Sequence, residues 1–318
     1  MFLIPVFTLS ALFVAFASSA ITVCPPEKDL EPCYCRQLAS GLFVGCANFN
    51  SSSSLVRASK IMREYYVTKV LLHRLYITEV LPSDLFHNTY INGLTVENST
   101  LKFSQPAFTG LDDTLYYLSV GKHSVIKSKD DFTLARLSKL EEFRMKFNNL
   151  PKIQGTWLKG KVPNVRKLVL DDNNIIEVER GAFSTLSQLK SISMANNQII
   201  KVSRSLFPYP AEHLETIDLT DNEIETLPFD FFFLMPSLTH VLLAENNLKT
   251  LPEMTWLSVW ENLFDVILIE NKIVCDGKLE WLKKLPRVKN LKGDCVAPKE
   301  VAGKPIWEVY YGWDSNIM

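Results

Sequence analysis

The sequence predicts an α/β solenoid: short stacked coils that lay one strand each into a curved parallel sheet, with disulfide-bonded caps at both ends. Three observations predict it. An apolar pattern returns every 24 or 25 residues through the middle of the 318-residue chain. An asparagine holds one fixed place in six consecutive copies of that pattern. All six cysteines sit near the two ends, with over two hundred cysteine-free residues between the groups.

The first element, residues 1–20, reads "MFLIPVFTLSALFVAFASSA". This apolar run ends in small residues suited to cleavage near Ala20 and is expected to be a signal peptide. It falls short of the ~20 apolar residues that a membrane span needs. The far end, "IWEVYYGWDSNIM", is too short and polar for a span or a lipid-anchor signal. A soluble, secreted, extracellular chain without a membrane anchor is expected. In that setting an even number of cysteines implies disulfides.

Composition narrows the function classes. The chain is 47% hydrophobic and 22% charged, with a formal net charge of −1, which suits a packed protein and argues against wholesale disorder. A nucleic-acid partner would need a basic face, and the net charge offers none.

Residues 21–66 hold Cys24, Cys33, Cys35 and Cys46. Their spacing lacks the paired Cys-x2-Cys knuckles of a zinc site, so disulfides are expected, with three connectivities open. "GLFVGC" reads as a strand that would cover the sheet edge.

Residues 67–273 are the repeats. Starts at Val67, Ile91, Leu115, Leu140, Val165, Leu189, Leu214, Leu238 and Leu263 give about nine units, including "LKSISMANNQI", "LETIDLTDNEI" and "LTHVLLAENNL". In each, alternate side chains of a short strand point inward. The chain then turns back at the same place, leaving buried peptide groups that need partners. An amide side chain both donates and accepts, so Asn148, Asn173, Asn197, Asn222, Asn246 and Asn271 are expected to form a structural ladder. In the first three units Leu75, Ser99 and His123 occupy that position, and His123 is expected to act as a hydrogen-bonding substitute. A second column, Phe86, Phe108, Phe132, Trp157, Phe183, Phe207, Phe232 and Trp256, is expected to form an aromatic spine on the convex side. The template LxxLxLxxNxI with a downstream aromatic resembles the leucine-rich repeat.

Residues 274–318 complete the chain. "CPPEKDLEPCYC" and "NKIVCDGKLEWLKKL…GDC" resemble the N- and C-terminal cysteine caps of extracellular leucine-rich repeat proteins. That resemblance implies pairs Cys24–Cys35, Cys33–Cys46 and Cys275–Cys295. The C-terminal cap departs from the family form: Gly277 stands where a second cysteine is usual and no fourth follows, so one bridge is absent as a pair. Trp281 and Leu282 are expected to hold its helix. At finer grain, the caps and the ragged early repeats resemble a group of arthropod secreted proteins labelled as the non-catalytic subunit of the Oplophorus luciferin monooxygenase.

Catalytic machinery is not apparent. The five histidines lie in no HExxH-type motif, and no nucleophile elbow or phosphate-cradling loop occurs. Acidic pairs at 112, 130 and 171 read as solvated strand ends or loops. No catalytic residue, metal or cofactor is expected. A binding face is expected instead, from the outward positions of LxxLxL. Tyr116, Tyr117, Arg144, Lys146, Arg166 and Lys167 give an aromatic-basic half. Asp218, Asp221, His240, Leu242, Glu245, Phe264, Ile267 and Glu270 give an acidic-apolar half. Sequons place glycans at Asn50 and Asn98. A glycan at Asn98 would crowd the early units, so partner contact is expected in units four to nine.

The function expected is a secreted, non-enzymatic scaffold that binds a protein through its concave face, as the accessory subunit of a small secreted enzyme. The alternative is an immune or adhesive protein that recognises microbial or glycan ligands.

Overall fold

The computed structural model describes residues 20–104, 108–127, 134, 137–155, 158, 162 and 164–312. The leader through residue 19, Phe132, Trp157 and the last six residues of the tail lie outside that set.

Twelve strands form one sheet in chain order. The first two are β1 (Cys33–Leu38) and β2 (Gly41–Ala47). The repeats supply β3 (Val67–His73), β4 (Gly93–Glu97), β5 (Tyr117–Gly121), β6 (Glu142–Lys146) and β7 (Lys167–Val169). They continue as β8 (Ser191–Ser193), β9 (Thr216–Asp218), β10 (His240–Leu242) and β11 (Asp265–Ile267), and β12 (Asn290–Lys292) belongs to the C-terminal cap. Every neighbouring pair is parallel except β1–β2. The register explains the solenoid. Leu118, Phe143, Leu168, Ile192, Ile217, Val241, Val266 and Leu291 lie side by side, and all are buried. Each coil hides its apolar face only on its neighbours, so the stack needs ends.

The N-terminal end is a hairpin rather than the single covering strand expected: "GLFVGC" is β2, and β1 stands outside it as the true edge. At the other end, β12 adds a cap strand beyond the nine repeat strands. Bridges Cys24–Cys35, Cys33–Cys46 and Cys275–Cys295 fasten these caps. In the C-terminal cap, a 3-10 helical run over Gly277–Lys284 buries Trp281 and Leu282, and the Trp281 indole donates to the Leu251 carbonyl at 3.0 Å. The tail through Tyr311 packs on this cap as a helix, Ile306–Tyr311. There the Tyr310 hydroxyl donates to the Asp276 carbonyl at 2.9 Å. Among the described residues no helix is long and apolar enough to cross a membrane.

The asparagines lie inside, at the turn that ends each strand. Asn197 is typical: its Oδ1 accepts from the amides of Asn173 and Ile175 in the preceding coil, both at 3.0 Å. Its Nδ2 donates to the Leu170 carbonyl of that coil and to Met194 and Ala195 of its own. Asn222, Asn246 and Asn271 accept from Ile199, Ile224 and Leu248 at 3.0 Å. Asn173 accepts from the Asn148 amide at 3.0 Å and donates to Met145. Asn148 donates to Val120 and Lys146, and its buried Oδ1 finds no partner among the described residues.

In the early coils the ladder runs on hydroxyls, and His123 is not part of it. Ser99 Oγ accepts from the Leu75 amide at 3.0 Å and Ser124 Oγ from the Ser99 amide at 3.3 Å. Ser124 also donates to the Gly121 carbonyl at 2.5 Å. His123 points to solvent. Lys122 and His123 both take left-handed backbone, φ 53° and 60°, and two such residues in succession carry the next side chain, Ser124, into the interior.

On the convex side Phe86, Phe108, Phe183, Phe207, Phe232 and Trp256 are buried. From Phe183 a continuous run of ring contacts passes through Phe207, Phe231, Phe232, Trp256 and Trp260 to Trp281, with centroids 4.9–6.5 Å apart. In "FDFFFLM", Phe231 and Phe232 belong to this run, while Phe229 and Phe233 are exposed.

Candidate functional site

The concave face is built from two rows of side chains that cross the strands. The first runs Phe43, Lys69, Gly93, Tyr117, Glu142, Lys167, Ser191, Thr216, His240, Asp265 and Asn290. The second, two residues on in each strand, includes Thr95, Ser119, Arg144, Val169, Ser193, Asp218, Leu242 and Ile267. Tyr117, Arg144, Lys146, Lys167, Asp218, His240, Leu242 and Ile267 thus stand on the strand face.

Arg166 and Glu245 do not. At the start of each coil one carbonyl accepts two successive amides of the next coil: Glu141 from Arg166 and Lys167, Asn92 from Tyr116 and Tyr117, Thr239 from Phe264 and Asp265. Two residues therefore face one, as in a bulge, and the extra residue is turned away from the pleat. Tyr116, Arg166 and Phe264 line that entry rim. Asp221, Glu245 and Glu270 lie at the opposite rim, in left-handed turns with φ 54°, 54° and 57°. Asn98 occupies the same turn column at φ 48°, with its Oδ1 accepting from the Tyr76 hydroxyl at 3.2 Å. Asn50 is exposed just before the helix Ser52–Met62.

The basic half of the face is not a free positive surface. Arg144 Nε donates to Glu142 at 2.5 Å and its guanidinium lies 5.9 Å from the centre of the Tyr117 ring. Lys167 Nζ is 3.5 Å from the same Glu142. Lys146 Nζ meets Asp171 at 3.1 Å and Asp172 at 3.5 Å. The acidic pair at 171 is accordingly a clamp on Lys146 rather than a solvated strand end. Asp171 also accepts from Ser193 and from the Ala195 amide.

A signal for these pairs lies in the chain. Lys122–Glu97, Lys146–Asp171, Lys152–Glu177, Lys167–Glu142, Lys190–Glu215 and His240–Asp265 are each 25 residues apart. Opposite charges one period apart become lateral neighbours on adjacent coils, as cross-strand pairs do in any sheet.

Toward the C-terminal end, His240 Nε2 lies 3.2 Å from Asp265 and its Nδ1 lies 2.7 Å from the Thr239 hydroxyl. The order of groups mimics a nucleophilic triad, but the Thr239 hydroxyl also donates to the Glu215 carbonyl at 3.2 Å. The cluster orients the imidazole against Phe264, 5.9 Å away. Lys289 covers the same Phe264 ring at 4.7 Å. Among the described residues no group of three or more His, Cys, Asp or Glu could hold a metal ion.

The Leucine rich repeat family matches residues 163–210 of the chain. Leucine-rich repeat transmembrane protein FLRT2 of Mus musculus is 24% identical over 68% of this chain, and the match spans 34% of FLRT2. The chain thus spans about a third of that relative's length. Oplophorus-luciferin 2-monooxygenase non-catalytic subunit of Oplophorus gracilirostris is 21% identical, with 90% of this chain and 86% of that one aligned. Among solved structures, a chain from the octameric complex of Latrophilin 3 (Lec, Olf), Unc5D (Ig, Ig2, TSP1) and FLRT2 (LRR) superposes with a TM-score of 0.61 at 18% identity, covering 89% of this chain and 98% of that one. These similarities agree with the leucine-rich repeat solenoid seen here.

Proposed function

We propose that this chain is a secreted, non-catalytic scaffold that grips a protein partner with its concave sheet. The observation that carries the reading is the pre-ordered row Tyr117–Glu142–Lys167 with Arg144 beside it. Aromatic and arginine side chains dominate interface energetics, and here ion pairs and ring stacking fix their positions before any partner arrives, which lowers the entropy cost of binding. The similar FLRT2 (LRR) fold occurs in a multi-protein complex, which supports a protein as the partner. Three disulfides suit an extracellular setting,.

More finely, we propose the role of accessory subunit to a secreted enzyme. Support comes from the Oplophorus relative, whose alignment extends over most of both chains. An accessory subunit stabilises its folded partner by mass action without contributing chemistry.

The test is co-purification of the tagged, secreted chain from its source tissue, repeated with Tyr117→Ala plus Arg144→Ala and with the convex-side Phe229→Ser. A partner held at fixed stoichiometry, lost with the first variant and kept with the second, is the expected result. Loss only with Phe229→Ser would overturn the concave reading. Capture of microbial glycans in place of a protein would establish the alternative.

A further inference from the structure

Gly93 sits in the middle of the first row, between Lys69 and Tyr117. A glycine inside a strand weakens it and commonly marks a place where another group approaches closely. At Gly41 and Gly110 the backbone demands glycine, with φ +124° and +94°, and at Gly45 a Cβ would collide with the Tyr34 ring at 2.3 Å. None of this holds at Gly93. Its φ is ordinary, and a Cβ there would meet Lys69 Cγ at 3.6 Å and Tyr117 Cδ1 at 3.9 Å, both normal contacts. Neither backbone nor packing explains the missing side chain.

Gly93 lies in a half-open depression of about 500 Å³ in the concave face, with Phe43, Lys69, Asn92, Thr95 and Tyr117 around it. With strands about 4.8 Å apart, the flanking Lys69 and Tyr117 stand roughly 10 Å from each other. The walls combine two aromatic rings with a cation. That cation differs from its counterparts: Arg144, Lys146 and Lys167 each meet a carboxylate, whereas Lys69 makes no ion pair with any described residue. The Asn98 turn is at the other end of the same strand. Four residues of β4 at about 3.3 Å each separate it from Gly93.

We propose that the depression at Gly93 is a subsite for an acidic side chain of the protein partner together with an adjoining aromatic residue, the carboxylate pairing with Lys69 and the ring settling over Gly93 against Tyr117. A charge-assisted hydrogen bond is the strong kind, and Lys69 has no internal carboxylate to surrender. This subsite rests on the concave-face reading above and refines it.

Saturation-transfer NMR on the full secreted chain, titrated with acetyl-Phe-Glu-amide and acetyl-Phe-Gln-amide, tests it. The acid should bind at least about fivefold more tightly than the amide, a difference near 1 kcal/mol. Lys69→Met should level the two probes, Gly93→Leu should abolish binding of both, and the distant Phe229→Ser should change neither. Lys69 is exposed, so Lys69→Met keeps the test decisive if Gly93→Leu fails to fold. Equal binding of acid and amide, indifference to Lys69→Met, or no binding by about 10 mM probe, beyond the weakest useful affinity range, would overturn the subsite. A chain that still captures its partner through Tyr117 and Arg144 but ignores the probe would sink the subsite alone.

Discussion

The side-chain oxygen of Asn197 accepts the backbone amide of Asn173, 24 residues earlier, at 3.0 Å. One amide group thereby ties two coils at the point where both chains turn. Five of the six ladder asparagines, Asn173, Asn197, Asn222, Asn246 and Asn271, accept a backbone amide of the coil before them in this way.

Replacing Asn222 by alanine should therefore strand the Ile199 amide, while the Met194 carbonyl keeps the Asn197 side chain as a donor. One buried unsatisfied group costs about 1–3 kcal/mol, and the loss should fall in that range. Thermal unfolding followed by circular dichroism should show a midpoint several degrees lower. A midpoint equal to the parent's would contradict the ladder.

The serine and histidine at the third coil give a paired test. Ser124→Ala removes bonds to Ser99, Val96 and Gly121 and should cost ~1–2 kcal/mol. His123→Ala, at an exposed position, should fall within the ~0.5 kcal/mol typical of surface changes. Denaturant titration of both variants decides, and the reverse order would restore histidine as the rung.

Alkaline titration should loosen the C-terminal cap. Burial is the main cause that pushes Tyr310 up to about 12 from its ordinary value of 10.0. The unfolded chain releases this proton first, so the stabilisation is complete below about pH 10 and is lost as pH rises toward 12. Near-UV circular dichroism of the parent should decline across that window, and Tyr310→Phe should shift the decline. Identical profiles would refute the assignment.

Charge reversal on the face should separate binding from folding. Arg144→Glu with Lys146→Glu opposes Glu142, Asp171 and Asp172, yet such partly exposed pairs contribute only ~0–1 kcal/mol each. Partner affinity should drop tenfold or more, about 1.4 kcal/mol, while the unfolding midpoint moves little. Unchanged capture would remove this part of the face from the interface.

The periodic features were legible in the chain because period and position coincide. The inward residue of Leu168's place recurs with every coil and the asparagine of Asn173's place in six successive coils, so counting finds them. His123 was misplaced because counting cannot see two left-handed residues in succession, which advance the inward position by one. Arg166 looked like a face residue because the pattern LxxLxL assigns both x positions outward, whereas the doubled amides on the Glu141 carbonyl turn the first one to the rim. The notch at Gly93 is legible only once Lys69 and Tyr117 are known to flank it, since those neighbours are 24 residues away on either side.

The ladder also has a direction. Asn197 completes the turn of the coil made before it, just as Asn222 completes that of Asn197's own coil. A fragment ending after either of these coils would therefore leave amide donors of its last turn without the side-chain oxygen that the next coil supplies.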